Sequence, residues 1–73
     1  MTDQPQIPIS SEVLPTREAA ALRVRELGAT RFVKEKSVFY RFLYWNGRDQ
    51  VWITVKPTQK GGFRVEIWKS CPC

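Results

Sequence analysis

Histidine is absent from this 73-residue chain. That removes the Ser-His-Asp and Cys-His catalytic arrangements, the usual general base near neutrality and every Cys-His zinc finger. Cysteine is confined to Cys71 and Cys73, separated by Pro72. Two thiolates cannot close a four-ligand zinc site, and a bridge across one residue closes too short a loop to staple a core. They read as free tail thiols, with an intermolecular metal or redox site as the alternative. No apolar run is long enough to span a bilayer, and Met1 to Leu14 lacks the basic start and apolar stretch of a signal peptide. The expected location is the cytoplasm, with no membrane partner. A Walker lysine loop, a dinucleotide glycine pattern and a calcium loop are all missing. Asp49 and Glu66 fall on different expected strands with nothing to mark them as a catalytic pair, so no enzymatic activity, cofactor, metal or catalytic residue is expected.

What the chain has instead is aromatic bulk and positive charge. Four Phe, two Tyr and three Trp supply the large side chains that a domain of this size needs to offset the entropy of folding. The twelve Lys and Arg are unevenly placed. Residues 1 to 14 carry only Asp3 and Glu12, so the other five acidic residues stand against all twelve cations and the body beyond residue 14 holds +7. Such a body is drawn to acidic surfaces, whether phosphate backbone or acidic protein. A basic surface with no dedicated partner is the plainer alternative.

Pro5, Pro8 and Ser10-Ser11 break residues 1 to 14 into an extended, flexible arm, whose Ile7, Ile9, Val13 and Leu14 have the option of packing on the body. One domain is expected over 15–70, followed by a tail at 71–73. From Thr16 to Leu27 strong helix formers dominate, with Thr16 as N-cap, Glu18 favoured by the helix dipole and Gly28 as the stop. Ala20, Val24 and Leu27 make one narrow apolar stripe, suited to a helix lying on a sheet, while Leu22 points away. Aromatic and β-branched residues then predict strands over Thr30–Lys34, Ser37–Trp45, Gln50–Lys56 and Phe63–Lys69. Asn46-Gly47 signals a two-residue hairpin turn, which Arg48 and Asp49 would lengthen if included, and Pro57 to Gly61 a five-residue loop. The expected fold class is therefore α+β: one N-terminal helix packed on an antiparallel meander of three to four strands.

Alternation along the strands divides the sheet into two faces, and both turn lengths preserve the division. Val38, Tyr40, Phe42, Tyr44, Val51, Ile53, Val55, Phe63, Val65 and Ile67 form the side expected under the helix. The other side gathers Phe39, Arg41, Leu43, Trp45, Trp52, Arg64 and Trp68, a composition rich in the Trp and Arg that dominate binding surfaces and also able to stack bases. These seven are the candidate partner-binding residues. A purely structural use is the alternative: Arg41 over Trp52 as a cation-π pair, Trp52 opposite Glu66, or the N-terminal arm folded across them.

The polar opening Met1-Thr2-Asp3-Gln4, the run Val38-Phe39-Tyr40-Arg41-Phe42-Leu43-Tyr44-Trp45 and the ending Cys71-Pro72-Cys73 give the chain a resemblance over its full length. It resembles the small transcription regulators of lytic phages infecting Xanthomonas, which inhibit host RNA polymerase and act as antiterminators. The resemblance implies a partner, the host polymerase, gripped at the N-terminal segment of β′ and at the β flap. It implies displacement of the primary sigma factor and passage through terminators, in the host cytoplasm, by a monomer. It carries no contact residues. Docking by the aromatic face and pairing of an exposed strand edge with an extended peptide both remain open. Two other readings stand beside it: a basic single-domain nucleic-acid-binding protein using the same face, and an assembly protein that dimerises through an edge strand.

Overall fold

The structure is a computed structural model that describes residues 7–35 and 40–70. Five antiparallel strands form one sheet: β1 (Ser10–Leu14), β2 (Arg31–Glu35), β3 (Phe42–Asn46), β4 (Val51–Pro57) and β5 (Phe63–Trp68), in the order β1-β5-β4-β3-β2. One helix, α1 (Arg17–Glu26), links β1 to β2. The α+β class holds, with two corrections: there are five strands where three to four were expected, and the helix follows a strand instead of opening the fold. The additional strand comes from the expected arm. Residues 10–14 pair along β5, from Ser10 opposite Ile67 to Leu14 opposite Phe63, and alternate in exposure from Ser11 on, so Leu14 reaches the core although Pro8 and the serines depress local strand propensity.

The helix ends are built as the sequence signals them. Thr16 is the N-cap, its hydroxyl accepting from the Ala19 amide at 3.0 Å. After the C-cap Leu27, Gly28 sits at φ +95°, in the left-handed region that glycine enters without a Cβ clash. Ala20 and Val24 are buried against Ile53, Val55 and Val65, with Leu14, Leu27, Phe42, Tyr44, Phe63 and Ile67 packed around them. Parity thus assigns the helix side correctly for β3, β4 and β5. Tyr40 is the exception: it precedes β3 and is buried outside this cluster. Val38 and Phe39 lie outside the described residues, as does the first part of the long strand expected from Ser37; β3 begins only at Phe42.

The β3–β4 turn is Gly47–Gln50, four residues long, with Gln50 and not the Asn-Gly pair at positive φ (56°). Asn46 closes β3, and its carboxamide organises the turn. Oδ1 accepts from the amides of Arg48 (3.0 Å) and Asp49 (3.1 Å), a local side-chain bridge that replaces the tight turn. Thr30 braces the same end, its amide and hydroxyl both donating to the Trp45 carbonyl while its Oγ1 accepts from the Gly47 amide. The next loop is five residues, Thr58 to Gly62, one position later than expected because Pro57 ends β4 opposite Phe63. Thr58 and Gly62 close it through both backbone and hydroxyl bonds.

Candidate functional site

The face away from α1 is fixed by the register of three strands. Trp45 on β3 lies opposite Trp52 on β4, which lies opposite Trp68 on β5. The three tryptophans of the chain therefore form one row across the sheet, each half-buried. The Trp45 and Trp52 rings are 4.6 Å apart at an interplanar angle of 53°. Trp68 is held by its own polar atom: Nε1 donates to Thr54 Oγ1 at 2.8 Å, and Thr54 is buried. An indole bonded in this way keeps its ring plane fixed while one side faces outward.

Two positions along each strand, about 7 Å, separate neighbouring rows on one face. The next row holds Leu43, Thr54 and Glu66. Beyond it, Lys56 on β4 stands directly opposite Arg64 on β5, and Arg64 opposite Val13 on β1. Arg41 joins this end, its amide donating to the Val55 carbonyl at 2.8 Å. Like charges face to face across a strand pair are destabilising. The Arg64 guanidinium reaches Ser11 Oγ at 3.4 Å, and no ion pair to a carboxylate is formed by Lys56 or Arg64 among the described residues. Lys56, Lys60 and Arg64 border an open groove of about 1180 Å³ whose wall is the Thr58–Gly62 loop, with Glu66 as its carboxylate. The face is thus divided, with aromatic surface at one end and cationic surface at the other.

Of the seven candidate residues, Trp45, Trp52, Trp68 and Arg64 are brought together on this face, and Arg41 is exposed at its cationic end. Leu43 is not a contact residue: it has the expected parity but is only 1% exposed and belongs to the interior. Phe39 lies outside the described residues, as do Cys71 and Cys73. The internal pairings expected for the face are replaced. Trp52 faces Trp68, and Glu66 faces Thr54, because β4 and β5 pair two residues out of the expected register. Among the described residues, the cation-π contact is on the other side, Arg17 over Phe42 at 5.4 Å. No sequence motif marks Lys56 or Lys60; the structure sets Lys56 opposite Arg64 and brings Lys60 to the same groove.

No group of three or more His, Cys, Asp or Glu capable of holding a metal occurs among the described residues. No described helix is long and apolar enough to cross a membrane. No protein-family model, curated protein or solved structure matches the chain.

Proposed function

We propose that this protein is a binding module that docks bacterial RNA polymerase through the face opposite its helix. The observation that supports this reading is the row Trp45, Trp52, Trp68 with the Lys56–Arg64 pair at the other end of the same face. Rigid aromatic rings give up large contact area at small entropic cost and dominate interface energies. Cations at the rim set orientation and speed the encounter with an acidic partner. The identity of the partner comes from the resemblance to the phage regulators. With it come the N-terminal segment of β′ as the gripped element, the β flap as a second contact, loss of sigma from promoter complexes and readthrough of terminators.

The test is retention of polymerase from nuclease-treated lysate by the tagged protein, followed by promoter-complex formation with purified holoenzyme. Retention that falls with Trp52→Ala, in a variant whose circular dichroism is native, supports the face. Retention undiminished by changing all three tryptophans excludes it.

The cationic row favours one second reading, a nucleic-acid binder in which the tryptophans stack bases and Lys56, Lys60 and Arg64 follow phosphates. Counterion release makes such binding fall steeply with salt. Titration of single-stranded and duplex DNA at low salt separates the two readings, and absence of binding there eliminates the second.

A further inference from the structure

Among the described residues, one helix covers about half of the sheet on its side. Five strands at about 4.8 Å spacing make a sheet about 19 Å wide, whereas one helix with its side chains is about 10 Å across. α1 lies over β5 and β1. The strip beside it, above β3 and β2, carries an aromatic floor. Phe32 packs edge-on to Tyr44 (centroids 5.4 Å apart) and against Phe42 (6.4 Å), and remains 49% exposed. Between this floor and α1 runs a groove of about 290 Å³.

The groove is edged by cations. Arg17, Ala21 and Arg25 follow one another at four-residue spacing on α1, so two guanidinium groups flank a small residue. Arg17 lies over Phe42, while Ala21 and Arg25 line the groove; Arg31 of β2 borders it, but its register partner is Trp45, which puts the Arg31 side chain on the other face of the sheet. None of the lining residues is acidic; the carboxylate nearest in register is Glu35, opposite Phe42.

We propose that this strip docks an acidic amphipathic helix of a partner protein, laid beside α1 so that the second layer of the fold is completed. The sheet has room for one further helix, the aromatic floor supplies the apolar contact, and Arg17 and Arg25 complement carboxylates along the flank that faces α1. An added strand fits less well. β2 is interrupted by a bulge between Phe32 and Lys34 and bears charged side chains along its length, devices that obstruct edge pairing. A second copy of the chain would bring a +5 protein to a cationic groove. The site is separate from the tryptophan face, so either can fail alone.

The test uses a synthetic amphipathic peptide, leucine on one helical stripe and glutamate elsewhere, and a twin with lysine replacing glutamate, titrated into the ¹⁵N-labelled protein. The glutamate peptide shifts the amides of Ala21, Arg25, Phe32 and Tyr44 and leaves the indole N–H signals of Trp45, Trp52 and Trp68 in place. Arg25→Glu, at an exposed position, and Phe32→Ala each weaken binding about tenfold. Equal binding of the lysine peptide overturns the proposal, as do shifts confined to the indole signals or groove shifts that follow protein concentration without peptide.

Discussion

The carboxamide of Asn46, at the end of β3, caps the carbonyl of Leu27 at the end of α1, its Nδ2 donating at 3.0 Å and also bonding Asp49 Oδ2 at 3.1 Å. With Oδ1 accepting from two turn amides, one buried side chain joins the helix C-terminus to the β3–β4 turn. Gly28 must follow that carbonyl without a side chain, since a Cβ there would lie 2.8 Å from Asn46 Nδ2.

Asn46→Ala removes this junction and strands the Leu27 carbonyl, which a helix end otherwise leaves unsatisfied. We expect a loss of about 2 to 3 kcal/mol in urea unfolding. Asn46→Asp is expected to be worse at neutral pH than in acid, because a carboxylate would face the Leu27 carbonyl and Asp49.

Thr54→Val keeps the shape of β4 but leaves the Trp68 indole N–H without its acceptor. A cost of about 1 kcal/mol is expected, measured by denaturant unfolding, together with a shift of the Trp68 indole proton resonance that leaves Trp45 unmoved.

The confrontation of Lys56 with Arg64 predicts opposite effects on folding and on binding. Lys56→Gln is expected to stabilise the free domain by a few tenths of a kcal/mol, up to about 1. It is expected to weaken attachment to the proposed polymerase partner, more so at low salt. Unfolding curves and polymerase retention at two ionic strengths check both halves.

Burial raises the pKa of the Tyr44 hydroxyl above the ordinary tyrosine value, with Arg17 pulling the other way. The folded state therefore holds this proton more tightly than the unfolded one. Its contribution to stability is complete below about pH 10 and is lost as pH rises through the folded value. Ultraviolet titration of the phenolate should place Tyr44 above a free tyrosine, and Arg17→Ala should move it further upward.

Much of the arrangement was legible in residue order. The Ala20, Val24, Leu27 stripe, the Thr16 and Gly28 caps and the alternation along β3, β4 and β5 follow from local rules, and alternation survives any even change of register. What escaped depends on contacts distant in sequence. Ser10–Leu14 is a strand because β5 offers it an edge, which local composition does not disclose. The Asn46-Gly47 signal named the right turn but the wrong geometry, because a buried asparagine gains more by bonding Leu27 and the turn amides than by occupying a tight turn. Leu43 had the right parity but is interior. The Phe32, Phe42, Tyr44 floor was hidden because the position of the helix across the sheet is not encoded in its stripe.

The most direct measurement is the affinity of purified RNA polymerase for the wild-type protein against Trp52→Ala and Arg64→Glu, each verified as folded, after nuclease treatment. Each change is expected to weaken binding about tenfold or more, the signature of an anchor and its cationic rim. Unaltered affinity in both folded variants would contradict docking through the tryptophan face.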